Sequence, residues 1–370
     1  MIVFVGDLHA CTALYQSHPT MTGDTDYAAA QIGEFCRKYG AKLVLVGDVF
    51  NSRFPEARVI RSVFNAFAGV DGAFLQAQHD WQRDVGWMQL QPRFEPLHGR
   101  VMEADGIRLY GLDCLSGSEL QEALSRVPKD VDIFCGHQLL EEVMGLSGES
   151  HMAASELPCR MNILGDYHGS PNEGRTEDGR RWWYTGSMVL CSRSEPPAKS
   201  FLVADSSAST GEIDVSRVPL LTRPFVRVDI EWEEELVEFC DVIRGRVLTL
   251  HDDAVANGIP ERVAVPFVSV KYNAEVKDAH SRMVRAVGDI VEAGRLHVHF
   301  LTQSRLAAAV QPSENVVSRK LSVLDAVRLL VDEETSPELL RFVVDLDASQ
   351  DPRGFIRKLK ESRGVKDRVM

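Results

Sequence analysis

Short apolar runs that end in an aspartate or a histidine recur along the first half of this chain, and they limit its fold more than any other feature. IVFV at 2–5 runs into Gly6-Asp7-Leu8-His9, and LVLV at 43–46 runs into Gly47-Asp48. GAFLQ at 72–76 runs into Ala77-Gln78-His79-Asp80, VDIFC at 131–135 into Gly136-His137, and NILG at 162–165 into Asp166-Tyr167-His168. Four or five apolar residues bounded by turn formers read as buried strands. Between them lie stretches of helical spacing. Residues 26–39 carry Ile32, Phe35 and Cys36 on one face with Gly40 placed as C′, and 55–67 has Pro55 near its start. Further strands are expected at 107–112, 181–186 and 201–205. Strands alternating with helices predict an α/β domain.

One Gly-Asp after a strand is an ordinary turn, and one histidine is ordinary surface or core. Five such endings in succession are a different matter, because ligands in open α/β sheets converge from the carboxyl ends of strands. Asp7 and His9 stand two apart, so in an extended segment they share a face and can reach one ion. Aspartate and histidine together suit divalent cations such as Mn, Fe or Zn.

The order D-x-H, GD, xHD, GH, GDxH resembles the calcineurin-like metallophosphoesterases, and within them the DNA-repair nucleases of the SbcD type, with overall plan and length closest to phage members. GDVFNSR at 47–53 and Tyr184-Thr185-Gly186-Ser187 followed by Glu195 carry the finer likeness. Motif-level resemblance covers residues 1–205. It implies a β-sandwich flanked by helices and two divalent cations, Mn above all, with Mg, Fe or Zn as alternatives. The first would be held by Asp7, His9, Asp48 and His168, the second by Asp48, Gln78, His137 and Asp166. His79 would face the scissile phosphate and assist the leaving oxygen, with Asp80 orienting it. Asn51 would act behind the ligands. The family's GNHD reads here Ala77-Gln78-His79-Asp80. If the first position needs a positive φ, alanine costs about 1 kcal/mol. Gln78 offers the same amide oxygen as asparagine on a chain one methylene longer. The implied function is a two-metal DNA nuclease, exonuclease or endonuclease, working on DNA ends in repair and recombination. The alternatives are a catalytically weakened scaffold subunit and a small-molecule phosphodiesterase.

The Ser- and Gly-rich 205–219 is expected to close the first domain. Residues 220–310 read as a small α+β domain that caps the site or binds DNA, with strands at 224–232 and 265–273 about a helix at 234–256. His297-Val298-His299 alternates in an apolar strand and reads as packing rather than a metal site. Trp182 and Trp183 place one ring in the core and one on the opposite strand face, where a base could stack. Residues 313–370 read as helical, with apolar faces that the resemblance assigns to docking on an SMC-like ATPase of the SbcC type, followed by a basic tail. A homodimer through helices such as 55–67 is implied as well. The net charge of −13 argues against non-specific nucleic-acid binding by the whole surface. No apolar run reaches the ~18 residues of a membrane span, the start reads as a strand rather than a signal peptide, and seven scattered cysteines suit a reducing cytoplasm.

Overall fold

The computed structural model describes residues 1–14, 18–82, 85–145, 151–170, 172–207 and 211–303. The helical segment and basic tail expected at 313–370 lie outside the described residues. The first body is an α/β sandwich of two six-stranded mixed sheets flanked by helices. In spatial order, one sheet runs Ile213–Leu220, Lys199–Ser206, Ile2–Val5, Lys42–Val46, Gly72–Leu75, Phe94–Pro96. The other runs Glu173–Arg175, Arg181–Tyr184, Met161–Gly165, Ile133–His137, Ile107–Leu112, Val101–Ala104.

Period-two alternation explains why the central strands are apolar at every position. Ile2, Phe4, Val44, Val46, Ala73 and Leu75 meet Ile107, Leu109, Ile133, Cys135 and Ile163 between the sheets. Val3, Val5, Leu43, Leu45 and Phe74 point the other way and pack with Ile32, Cys36, Val59 and Val63 of the helices Asp24–Tyr39 and Ala57–Ala66. The second sheet is covered outside by Leu120 of the helix Gly117–Ser125 and by Leu140, Met152 and Leu157. The first helix ends at Gly40 in the left-handed region, φ 63°, as its position in the sequence requires. Trp183 lies between the sheets and Trp182 on the outer face, so the two rings do part across the strand. Both are buried, which leaves neither face free for a base.

The stretch 205–219 is not a linker throughout. Ile213–Leu220 pairs antiparallel with Lys199–Ser206 over eight residues and adds an edge strand. Its alternating pattern IDVSRVPL is half-exposed, and Pro219 is tolerated because the strand sits at the sheet's edge. Beyond it, three parallel strands, Phe225–Ile230, Phe267–Asn273 and His297–Gln303, carry the helices Glu233–Ala256 and Ala279–Glu292. Their own core joins Val268 and Val270 to Phe239, Ile243, Met283 and Val287. Arg223 ties the two parts together: Nε and Nη2 each donate to an Asp24 carboxylate oxygen at 2.8 Å, and Nη1 donates to Val265 O at 2.7 Å. No described helix is long and apolar enough to cross a membrane.

Candidate metal centre

The site is built where strand ends from both sheets meet. The segment after Val5 runs beside the segment after Val46, with Asp7 N–H donating to Gly47 O at 3.0 Å, His9 N–H to Asp48 O at 3.0 Å and Ala10 N–H to Val49 O at 2.8 Å. This pairing brings Asp7, His9 and Asp48 into one wall. From the facing sheet, His137 ends Ile133–His137, and Asp166 and His168 follow the adjacent strand Met161–Gly165. Six described non-glycine residues have a positive φ, and four of them are Asp7 (52°), His9 (46°), Asp48 (49°) and Asp166 (86°). Left-handed backbone is costly outside glycine, asparagine and aspartate, and where it clusters it marks a functional site.

The side chains converge without bonding each other as a closed network. Asp48 Oδ2 lies 3.9 Å from His9 Nε2 and 3.6 Å from His137 Nε2. His137 Nε2 is 3.8 Å from Asp166 Oδ1, and His168 Nε2 is 3.2 Å from Asp7 Oδ1. Gaps of 3.6–3.9 Å are too long for hydrogen bonds. They suit donors that flank a cation bound at about 2.0–2.2 Å to each. His137 is fully buried; its Nδ1–H donates to Val46 O at 2.7 Å, leaving an unpartnered Nε2 that faces the carboxylates. An imidazole fixed through one nitrogen and bare at the other is how proteins present a histidine to a metal. His168 is fixed likewise: Nδ1–H donates to Glu195 Oε1 at 3.0 Å. Glu195 Oε2 in turn accepts from Lys199 Nζ and Ser187 Oγ, each at 2.7 Å.

The electrostatics agree. Burial opposes charge on His137, yet its contact with Asp48 and the Asp7, Asp48 and Asp166 charges push the imidazole up to about 10. Burial also opposes charge on His168, and Asp7 and Glu195 outweigh it, again to about 10. Three carboxylates facing inward call for positive charge; protons supply it when no cation is bound, and a divalent cation would displace them. Asp7, Asp48 and His137 present donor atoms within 4.8 Å of one another, as do His9, His168 and Cys191. The residues therefore fit divalent metal.

All nine residues singled out from the sequence lie at or beside this cluster. His79 is half-buried, its N–H donates to Asp48 Oδ1 at 3.2 Å, and its ring centroid is 5.5 Å from that of His9. Gln78 is exposed and its amide lies 3.4 Å from Asp166 Oδ1. Ala77 has no positive φ, so the strain expected of an alanine there does not arise. Asp80 differs from its expected task. Its two oxygens accept the N–H groups of Phe50 (3.1 Å) and Ala77 (3.2 Å), so it braces the loop's backbone instead of bonding the His79 ring. Asn51 is exposed, with no side-chain bond to the cluster among the described residues. The sequence reading missed Lys199 and Cys191. Only the four-residue spacing of Glu195 and Lys199 hinted at the first, and nothing in the motif hinted at the second.

The chain is similar to a DNA repair protein. It is 23% identical over 351 residues to the DNA double-strand break repair protein Mre11 of Methanosarcina acetivorans, a match taking in 84% of this chain and 55% of the relative. The chain thus spans about half the length of the Mre11 it matches. No family model matches. Among solved structures, a hypothetical protein from Thermus thermophilus superposes with a TM-score of 0.37 at 15% identity, over 59% of this chain and 98% of that one. A further solved chain gives 0.34 at 11% identity, over 58% and 98%.

Proposed function

We propose that this protein is a DNA nuclease dependent on two divalent cations, acting at DNA ends as the nuclease subunit of a repair complex with an SMC-like ATPase. The observation that carries the reading is Asp48 Oδ2, set between His9 Nε2 and His137 Nε2 at 3.9 and 3.6 Å, where one carboxylate serves two ligand groups. Asp7, His9, Asp48 and His168 would hold one ion, and Asp48, Gln78, His137 and Asp166 the other. Two divalent cations held there would supply activation of water and neutralisation of a phosphodiester. His79 protonates the leaving oxygen, its ring beside His9 and its backbone fixed by Asp48. Arg53 and Phe54 give the site a DNA-facing rim: Arg53 Nε donates to Gln78 O at 2.9 Å, and Phe54 is 73% exposed. The name of the Mre11 relative supports double-strand break repair as the setting.

The ATPase contact would lie in the segment 313–370 and a homodimer contact on the helix Ala57–Ala66. The test is cleavage of a labelled linear duplex in Mn, with and without the ATPase. The wild type should cut, and His79→Ala should lose on the order of 10²–10⁴-fold while still binding metal. Equal cutting by His79→Ala would remove its assigned role. Absence of cutting by the wild type in either setting would favour a scaffold.

A further inference from the structure

Cys191 stands outside the ligand set that the sequence pattern implies, yet its sulfur belongs with donor atoms of His9 and His168 to a group whose members all lie within 4.8 Å of one another. His9 is 7% exposed, and its Nδ1 is buried with no hydrogen-bond partner. Its other nitrogen, Nε2, lies 3.9 Å from Asp48 Oδ2 and is the one turned toward the proposed cation. Cys191 is held in place by the carboxylate that also fixes His168: its N–H donates to Glu195 Oε2 at 3.2 Å, while Glu195 Oε1 accepts from His168 Nδ1 at 3.0 Å. One side chain thus fixes both the Cys191 backbone and the His168 imidazole. Bonds of about 2.0–2.3 Å to one cation would draw these donors closer together.

We infer that Cys191 supplies a thiolate to the cation held by His9 and His168, making that position selective for borderline divalent cations such as Zn, Fe(II) and Co(II) over Mg. The inference rests on the metal-centre reading above. Burial, then the Glu195 charge, push the free thiol up, so on binding the cation would have to displace its proton to solvent while the sulfur donates a lone pair; nothing would be oxidised or reduced. Sulfur is the soft donor in a set otherwise made of imidazole and carboxylate, and softness decides among divalent ions that geometry alone would admit. The oxygen-rich position at Asp48, Gln78, His137 and Asp166 keeps its suitability for Mn, so the two positions would differ in preference.

The test is titration of the metal-free full chain with Co(II), followed by absorption. Wild type should show an intense near-ultraviolet sulfur-to-cobalt charge-transfer band as well as visible ligand-field bands. Cys191→Ser and Cys191→Ala should keep visible bands and lose the charge-transfer band, whereas Cys11→Ser and Cys114→Ser should retain it. Zinc affinity, read by competition with a chromophoric chelator, should fall on the order of tenfold or more in Cys191→Ser. Cobalt bound without that band, or a band surviving in both Cys191 variants, overturns the thiolate while leaving the metal centre standing. Failure of the wild type to bind cobalt or zinc at all overturns both.

Discussion

At the scale of single residues, the site is organised by what stands behind the proposed ligands. Glu195 makes four contacts at once, to His168, Lys199, Ser187 and the Cys191 backbone. Burial would raise its pKa, but His168, Lys199 and Ser187 outweigh that and hold the carboxyl at about 2, below its ordinary 4.5. The unfolded chain therefore binds this proton more readily than the folded one, and stability falls as pH drops. The contribution is complete above about 4.5 and is lost as pH falls through about 2. In chelated protein, the urea midpoint of wild type should drop over that window more steeply than that of Glu195→Gln; parallel curves would show that the network does not hold the charge. Gly47 is the other residue on which the site depends. It has φ 87°, and a Cβ there would run into His137 Nδ1. Gly47→Ala should cost about 2–4 kcal/mol, joining left-handed strain to overpacking. A urea midpoint equal to wild type would refute the crowding. Asp7, His9, Asp48, His137, Asp166 and His168 were legible because metal-ligand types followed apolar runs. Cys191 was not, since sulfur near two imidazoles is a product of the loop's path, and the strained backbone was invisible because φ is set by tertiary pairing.

At the scale of elements, legibility followed burial. The strands Ile2–Val5, Gly72–Leu75 and, after Lys42, Lys42–Val46 are covered on both faces and read as apolar runs, and Ile107–Leu112 is broken only by Arg108 and Gly111. The strands that escaped the sequence reading, Phe94–Pro96, Val101–Ala104, Glu173–Arg175 and Ile213–Leu220, lie at sheet edges, where mixed polar composition hides them. The helix Ala279–Glu292 escaped too, its short apolar stripe of Met283, Val287 and Ile290 set among polar residues. These elements do not position the proposed ligands, which explains how a partial reading of the fold could still gather the site. The loop from Gly47 to Phe54 does both jobs, presenting Asp48 to the cluster and Phe54 to solvent.

At the scale of the whole molecule, the smaller α+β part is fastened to the sandwich by a few specific polar contacts. Arg223, 8% exposed, carries the largest share through Asp24, Val265 O and Arg262 O. Removing one partner of a buried pair costs about 3–5 kcal/mol. Arg223→Ala should therefore lower the melting temperature and expose 221–224 to limited proteolysis, and a double-mutant cycle with Asp24→Asn should show coupling above ~1 kcal/mol. Additive effects would mean that the two parts are held by packing instead. On the proposed function, a net charge of −13 would confine DNA to local basic residues and the proposed cations, so binding should depend steeply on both metal and salt.

In the proposed function, Asp48 would serve two cations at once. Anomalous diffraction from crystals soaked in Mn tests it most directly. The account predicts two peaks about 3.5–4 Å apart on either side of the Asp48 carboxylate, one toward His9 and His168, the other toward His137 and Asp166. Ions lying elsewhere, or no peak beside Asp48, would contradict it.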